Sequence, residues 1–203
     1  MITVYRHPLS GHCHRVELFL SLIGRACTLV DVDLAGGAQK APDFLARNPF
    51  GAVPVIDDDG VAIADSNAIL VYLALKYADE AWYPRDPDGA AAVQRWLSVA
   101  AGEVARGPAA ARLIAVFGAK LDPDQARMFA ARLFSVMEPY LAQRSFLVGG
   151  GPTIADIACY SYIAHAPEGG VSLDPFPNIR AWLARIEALP GFVAMRASPV
   201  AAG

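Results

Sequence analysis

Residues 52–77 read AVPVIDDDGVAIADSNAILVYLALKY and carry the most informative local pattern of the chain. Two short apolar runs, Val53–Ile56 and Val61–Ala64, are joined by the acidic segment Asp57-Asp58-Asp59-Gly60. An acidic turn that ends in glycine between two apolar runs predicts a β-hairpin. Ser66 then supplies a polar side chain of the kind favoured at a helix N-terminus, ahead of an apolar helical pattern. The segment therefore predicts a strand, a tight turn, a second strand and a helix.

The residues before this segment alternate between strand and helix patterns. Strands are predicted at Ile2–Tyr5 and Thr28–Asp33, the second of them buried, and helices at Cys13–Ile23 and Pro42–Asn48. Gly24 follows the first helix, as is common at a helix C-terminus. The order over residues 1–78 is thus β-α-β-α-β-β-α, which predicts a mixed sheet with helices on both faces.

The chain changes character after this first segment. Residues 79–88 contain Pro84 and Pro87 and are typical of a linker. No strand pattern is evident beyond it, so residues 89–203 are predicted to form an all-helical domain. Its predicted helices are, in chain order, Ala90–Ala105, Ala109–Ala119 after a kink or interruption at Gly107-Pro108, Pro123–Gln143, Thr153–Ala164 and Pro177–Leu189.

Composition narrows the classes of function. Hydrophobic residues make up 55% of the 203 residues and charged residues 18%, which argues against intrinsic disorder. The net charge is −3 and there is no long basic run, so binding to nucleic acid has little electrostatic support. We find neither a signal-peptide pattern nor a membrane span, and Cys13, Cys27 and Cys159 lack the spacing of a disulfide framework. These features predict a cytoplasmic protein.

Four segments together resemble the cytosolic glutathione transferases. They are PLSGHCHRVELFL (8–20), NPFGAVPVIDDDG (48–60), ADSNAILVYLALKY (64–77) and GGGPTIADIACYSYI (149–163), in the order and spacing of that family. The serine before the first helix is most similar to the theta-like and bacterial serine-type classes. The resemblance implies an N-terminal thioredoxin-like domain that holds glutathione, an all-helical domain that shapes the second-substrate pocket, and a role in detoxification.

The resemblance also implies where glutathione binds. Asp65 and Ser66 would hold the γ-glutamyl end, because a helix N-terminus favours an anion and Asp65 can pair with the α-ammonium. Val53, before a cis Pro54, would pair with the cysteinyl backbone. A helix cap at Asp65-Ser66 and a strand-opening proline at Pro54 are the plain structural alternatives.

The glycyl carboxylate would be met near the second helix. Gln39 and Lys40 match polar and basic residues that serve there in theta-like proteins, although a solvated surface lysine is an equal alternative for Lys40. The family often has a lysine just before the valine of the Val-Pro pair, where this chain has Ala52.

Ser10 is the predicted catalytic residue, and the plain structural alternative is that it is only the N-cap or a turn residue of its loop. A free thiol has a pKa of roughly 8.5, and a hydroxyl that donates to the sulfur, near a helix N-terminus, favours the thiolate. Cys13 is the alternative redox thiol, because thiols at helix N-termini are acidified. Adjacent residues of His12-Cys13-His14 point in different directions and have no evident fourth ligand, so no metal is predicted.

The second-substrate pocket is predicted between the two halves. Its candidate lining is Pro8, Leu9, His12, Arg106 and Arg112. The two arginines could meet an anionic substrate, although arginines on helices are more often solvated or paired. Thr153 and Asp156 form a capping-box pattern and are assigned to folding.

The predicted function is conjugation of glutathione to hydrophobic electrophiles by a homodimer, with glutathione as the co-substrate. Phe50 is a candidate interface residue, or else a phenylalanine that covers the core. Glutathione-dependent isomerisation of the maleylacetoacetate type and disulfide reduction through Cys13 stay open as alternatives. A non-catalytic module that binds glutathione or another ligand is the alternative from another class.

Overall fold

The computed structural model describes residues 1–198 of the chain. Within them a four-stranded sheet has the order β2-β1-β3-β4. The strands are β1 (Ile2–Arg6), β2 (Cys27–Asp31), β3 (Val55–Asp58) and β4 (Val61–Ala64). β1 runs parallel to β2 and antiparallel to β3, and β3 and β4 form the hairpin. The predicted mixed sheet is confirmed.

Two helices lie between the strands and six follow the last strand. The helices are α1 (Gly11–Leu22), α2 (Pro42–Leu45), α3 (Ser66–Tyr77), α4 (Pro87–Val99), α5 (Ala110–Phe117), α6 (Pro123–Leu141), α7 (Ile154–Ala164) and α8 (Pro177–Glu187). In residues 80–198 every regular element is helical, so the predicted βαβαββα unit followed by helices is confirmed. No helix within residues 1–198 is long and apolar enough to cross a membrane. The domain bounds 1–78, 79–88 and 89–203 stay a prediction, and residues 199–203 lie outside the described part.

The edge strand β2 departs from the prediction. It starts at Cys27, one residue before the predicted Thr28, and it is not buried: Leu29 is 43% exposed and Val30 37%. The reason is its place in the sheet, because β2 pairs with β1 alone and its other edge is free. Its apolar run resembled that of a central strand, and sequence alone does not reveal which strand lies at an edge.

Of the two predicted outcomes at Pro108, a kink or an interruption, the interruption does not occur. A π-helical segment, Ala100–Ala109, joins α4 to α5 without interruption. Pro108 has no N–H to donate, and the wider turn accommodates it within the helix. Gly107 is required there by close packing, because a Cβ at this position would lie 2.7 Å from the backbone nitrogen of Ala130 in α6.

One apolar core extends through both halves of the chain. It joins fully buried side chains of α1 and α3, such as Phe19 and Leu70, to Ile157 of α7 and Trp182 of α8. Because α1 and α3 pack on α7 through this core, their N-terminal ends are held in a fixed position relative to the helical half.

The hairpin is tied to α3 by a buried carboxylate. Asp58, in β3, accepts hydrogen bonds from the hydroxyls of Tyr72 and Tyr77 and from the Lys76 ammonium, at 2.7–2.8 Å. Burial alone would raise the pKa of Asp58, but the hydrogen bonds from Lys76, Tyr77 and Tyr72 lower it to about 2. The carboxylate is therefore ionised at neutral pH and holds the far end of α3 against the sheet.

Candidate functional site

A cleft of about 410 Å³ lies where the first half of the chain presents the N-termini of α1 and α3. Three segments line it: the start of α1, the loop before β3, and the junction of β4 with α3. The lining residues are His12, Asn48, Pro49, Phe50, Ala52, Val53, Pro54, Ala64, Asp65 and Ser66. Val53, Pro54, Asp65 and Ser66 were predicted from the sequence to meet in one site, and the structure brings them together.

The N-cap of α3 is Asp65, not Ser66 as the sequence predicted. Asp65 has a left-handed φ of 71°, and its carboxylate accepts from the backbone nitrogens of Asn67 and Ala68 at 2.9 and 3.0 Å. This cap satisfies two of the unpaired N–H groups of the helix start. Ser66 is therefore the first helical residue, and its side chain lines the cleft.

Arg15 lies buried beneath the first residues of α3. The sequence analysis did not identify it as a site residue. It is 1% exposed, and its Nη1 donates to Ser66 Oγ at 3.2 Å and to Asn67 Oδ1 at 2.9 Å. Its Nε and Nη2 are buried and have no hydrogen-bond partner among residues 1–198. The signal was available in the sequence, because Arg15 stands in the first turns of a helix whose neighbouring positions are core residues.

His12 lies in the cleft beside Ser66, although the sequence assigned it to the second-substrate pocket. Its Nδ1 is 3.4 Å from Ser66 Oγ, and its ring packs edge-on against Tyr162 of α7 at 4.9 Å. Burial, followed by the charge of Arg15, lowers the pKa of His12 to about 3. The imidazole is therefore neutral at physiological pH.

The Val53-Pro54 peptide bond is cis, as the resemblance implied. The loop before it is held by side chains: Asn48 Nδ2 donates to the Ala52 carbonyl at 2.7 Å. The Lys40 ammonium donates to the carbonyls of Phe50 and Gly51 at 3.2 and 3.3 Å. These contacts fix the wall of the cleft that carries the free backbone groups of Val53.

Gln39 and Lys40 are not among the residues that line the cleft. Gln39 donates from Nε2 to the Leu34 carbonyl at 3.3 Å, and its buried Oε1 has no partner in residues 1–198. Lys40 is exposed and lies against the loop, at the rim of the cleft. Lys40 therefore lies at the edge of the site, because its ammonium binds the loop that forms the wall of the cleft.

Ser10 is the N-cap of α1, two residues from His12. Its Oγ accepts from the Cys13 backbone nitrogen at 3.3 Å, and the side chain is half-buried. In this bond the oxygen is the acceptor, and the hydroxyl also forms a hydrogen bond with the Cys13 side chain that lowers the pKa of that thiol. Gly11 is needed next to it, since a Cβ there would lie 2.8 Å from the Tyr162 ring.

Cys13 points away from solvent. It is fully buried, and its Sγ accepts from the backbone nitrogen of His7 at 3.4 Å. Burial raises the pKa of Cys13 to about 11, and the hydrogen bonds that involve Ser10 and His7 lower it by less than burial raises it. A thiol in these surroundings is neither ionised nor accessible at neutral pH.

Arg112 is not a substrate-facing residue, which corrects the sequence prediction. It is 0% exposed, and its guanidinium donates to Glu168 Oε2, the Leu9 carbonyl and Ser198 Oγ at 2.7, 2.8 and 2.7 Å. A side chain that is enclosed and bonded on three sides has no free face for a substrate.

The other predicted residues of the second-substrate pocket, Pro8, Leu9 and Arg106, do not line the cleft of about 410 Å³. Pro8 and Leu9 are half-buried in the loop before α1. Arg106 is exposed, and its guanidinium lies 5.7 Å from the centre of the Phe129 ring on α6. Phe117, at the end of α5, was not predicted but packs edge-on against His7 at 5.8 Å, next to Pro8.

Residues 1–198 contain no cluster of three or more histidine, cysteine or carboxylate side chains that could hold a metal ion. The candidate site is instead a polar helix start with a buried cation beneath it, beside a loop of free backbone groups. Such a site can bind a ligand that carries a carboxylate and a peptide backbone.

Comparison with known proteins gives consistent matches along the chain. The model of the glutathione S-transferase N-terminal domain matches residues 1–75, and that of the C-terminal domain matches residues 109–190. Glutathione S-transferase 3 of Zea mays is 32% identical over 206 residues, covering 94% of this chain and 91% of its own. Glutathione S-transferase theta-1 of Mus musculus is 29% identical, covering 94% of this chain and 84% of its own.

Solved structures agree with this match. The glutathione S-transferase of Pseudomonas fluorescens superposes with a TM-score of 0.90 at 32% identity, covering 97% of this chain and 99% of its own. A glutathione transferase homologue from Drosophila mojavensis, solved with bound glutathione, has a TM-score of 0.83 at 27% identity, covering 93% of this chain and 88% of its own.

Proposed function

The chain belongs to the glutathione S-transferase family, and from that premise we propose that it is a serine-type transferase in which Ser10 activates glutathione for attack on hydrophobic electrophiles. The observation that carries the proposal is the N-cap geometry of Ser10. Its Oγ accepts from the Cys13 nitrogen at 3.3 Å, which holds the Ser10 hydroxyl at the N-terminus of α1, where the sulfur of glutathione is proposed to bind.

The activation requires a modest free energy. Lowering a thiol pKa from roughly 8.5 by about 2 units takes close to 3 kcal/mol, at roughly 1.36 kcal/mol per unit. One hydrogen bond to an anion supplies about 1.5–3 kcal/mol, and a helix N-terminus adds about 0.3–1 kcal/mol. The thiol proton passes to solvent, because His12, with a pKa of about 3, is a poor base. The thiolate then forms a carbon–sulfur bond to the electrophile. In a substitution the bond to a leaving group such as halide breaks and that group departs with the electron pair; in an addition the carbon–carbon π bond breaks and the resulting carbanion takes a proton from solvent.

Glutathione is proposed to lie with its γ-glutamyl end at Asp65 and Ser66. Asp65 is already oriented as the cap of α3, and Arg15 donates to Ser66 from below. The buried, incompletely paired guanidinium of Arg15 favours an anion in the cleft above it. The cysteinyl backbone would pair with the free groups of Val53, and Gln39 and Lys40 are proposed to meet the glycyl carboxylate.

Replacing Ser10 with alanine is expected to lower kcat/KM at least roughly tenfold, the size of one lost hydrogen bond to the thiolate. The measurement is conjugation of glutathione to a dinitrohalobenzene. Cys13→Ser is the matched control, and we expect it to change the rate little because Cys13 is buried and un-ionised.

The opposite ranking would move the assignment to disulfide exchange through Cys13. If the protein binds immobilised glutathione but turns over no electrophile, the activity proposal fails and a binding module replaces it. The three cysteines are free thiols, which suits the reducing cytoplasm in which we propose that the protein acts.

We further propose that the protein is a homodimer that uses Phe50. This side chain is 85% exposed at the tip of the loop before β3, an unusual position for a phenylalanine. A groove of about 260 Å³ between α4 and α6, lined by Trp96, Val136 and Met137 among others, offers an apolar seat on a second copy. In a dimer with two-fold symmetry, Phe50 of each copy would enter the groove of the other, so the contact would occur twice.

Replacing Phe50 with alanine is expected to raise the dimer dissociation constant roughly 30-fold or more, because a buried aromatic at an interface is worth at least about 2 kcal/mol. Light scattering across a dilution series measures it. Phe117→Ala is the control, since Phe117 is also an exposed aromatic, at 45%, but lies at the end of α5. Equal behaviour of the two variants would contradict a role for Phe50.

A further inference from the structure

The loop of residues 7–10, which places Ser10 at the start of α1, has few hydrogen bonds within itself. Ser10 N donates to the His7 carbonyl at 3.0 Å, and Leu9 N donates to His7 Nδ1 at 3.3 Å. Both acceptors belong to the same short loop. Two further bonds, from His7 N to Cys13 Sγ and from His14 N to the Ser10 carbonyl, join the loop to α1, but none of these four bonds fixes it to the helical half of the chain.

A contact from the helical half provides that fixation. Arg112 Nη1, in α5, donates to the Leu9 carbonyl at 2.8 Å across 103 positions of sequence. The Leu9 carbonyl and the Ser10 nitrogen belong to one peptide unit, which is planar. This one plane is therefore held at both ends, by Arg112 at its oxygen and by His7 at its nitrogen.

Arg112 is itself fixed by two further segments. Its Nε donates to Glu168 Oε2 and its Nη2 to Ser198 Oγ, each at 2.7 Å. Glu168 also receives His165 Nδ1 at 2.6 Å, so the carboxylate that neutralises Arg112 is held in turn. A fully buried guanidinium with three partners in three directions cannot shift without breaking strong bonds.

The geometry points to Arg112 as a positioning residue for Ser10. It does not touch glutathione; it orients the Leu9–Ser10 peptide plane and so sets where the Ser10 hydroxyl points. This inference rests on the proposed function of Ser10. Hydrogen bonds weaken steeply when the donor is misaligned, so a small rotation of this plane lowers the stabilisation of the thiolate.

Arg112→Lys tests the inference. Lysine keeps a charge for Glu168, but its compact ammonium cannot reach three acceptors in three directions. We expect the thiolate fraction of bound glutathione at neutral pH, read from ultraviolet absorbance near 240 nm, to fall about threefold, as for a weakened hydrogen bond. The pH profile of kcat/KM should shift to higher pH, with the KM for glutathione nearly unchanged.

Ser198→Ala is the matched control. It removes the Arg112 Nη2 partner in the C-terminal segment and leaves the Leu9 contact intact. A purely structural role for Arg112 predicts that both variants lower the Tm and that neither moves the pH profile of the folded enzyme. That result would overturn the inference.

Two further variants keep the test decisive. If Arg112→Lys does not fold, Glu168→Gln takes its place, because it weakens the ion pair that holds Arg112 Nε at 2.7 Å and so loosens the guanidinium that donates to the Leu9 carbonyl. An unchanged thiolate fraction in that variant would overturn the inference. Ser10→Ala is measured alongside: if it leaves the thiolate fraction unchanged, the proposed role of Ser10 fails, whereas a drop in Ser10→Ala without one in Arg112→Lys refutes only the role of Arg112.

Discussion

Replacing Arg15 with methionine is expected to raise the dissociation constant for glutathione roughly 30-fold or more, because truncating a buried charge that pairs with a ligand costs at least about 2 kcal/mol. In the free protein Arg15 has bonds from Nη1 alone, to Ser66 and Asn67. A bound γ-glutamyl carboxylate would be the missing counter-charge above it. Isothermal titration with glutathione measures the loss of affinity.

The stability of the free protein should respond differently. Losing the two hydrogen bonds of Arg15 costs about 1–3 kcal/mol, but removing a desolvated and incompletely paired cation offsets part of this cost. We therefore expect the free energy of unfolding to change by less than about 2 kcal/mol, while the rise in Tm caused by glutathione disappears.

Lys40→Met is the control for Arg15, since Lys40 is an exposed cation at the rim of the same cleft. Solvent screens an exposed charge, so its loss should weaken binding only a few-fold. If Arg15→Met binds glutathione as tightly as the unchanged protein does, the proposed γ-glutamyl site is wrong.

The sequence was sufficient for the strand and helix order and for much of the cleft. The hairpin turn, the Val53-Pro54 pair and Asp65-Ser66 are local patterns, and local patterns survive folding because few tertiary contacts compete with them. The cap of α3 was placed one residue late because it depends on the left-handed φ of Asp65. An aspartate can adopt either this positive φ or the usual negative φ, so the residue type alone does not show which residue is the cap.

The place of Arg112 could not be predicted for a geometric reason. Its three acceptors, Glu168 Oε2, the Leu9 carbonyl and Ser198 Oγ, come from segments 56, 103 and 86 positions away in the sequence. No local pattern shows that these segments meet at α5, so an arginine expected near a substrate or in a pair is found paired in the interior.

Cys13 shows two physical effects in competition. A helix N-terminus favours a thiolate by about 0.3–1 kcal/mol, which was the basis for the redox alternative. Burial acts in the opposite direction and is larger, since it raises the pKa of Cys13 to about 11. Whether a cysteine in the first turn faces the core or the solvent depends on tertiary packing, so the pattern alone left both outcomes open.

Replacing Asp156 with alanine is expected to lower the free energy of unfolding by roughly 3–5 kcal/mol, because it leaves several buried donors without an acceptor. Asp156 is 0% exposed. Its Oδ1 accepts from Leu147 N and Trp182 Nε1 at 2.8 and 2.9 Å. Its Oδ2 accepts from the nitrogen and the hydroxyl of Thr153 at 2.9 and 3.1 Å. One carboxylate thus joins the start of α7 to α8 and to the preceding loop.

Urea denaturation followed by tryptophan fluorescence measures the loss in the free energy of unfolding. A second variant, Asp156→Asn, removes only part of the hydrogen bonds of Asp156. An asparagine can still accept at one atom, but its NH₂ group cannot accept from Thr153, so we expect an intermediate loss.

Asp124→Ala is the matched control, because Asp124 also lies in the first turn of a helix, α6, but its side chain is 89% exposed. Its removal should cost less than about 1 kcal/mol, since exposed charges at a helix start contribute little. Similar losses in Asp156→Ala and Asp124→Ala would mean that the buried network contributes no more than an ordinary helix start, contrary to its burial and its four hydrogen bonds.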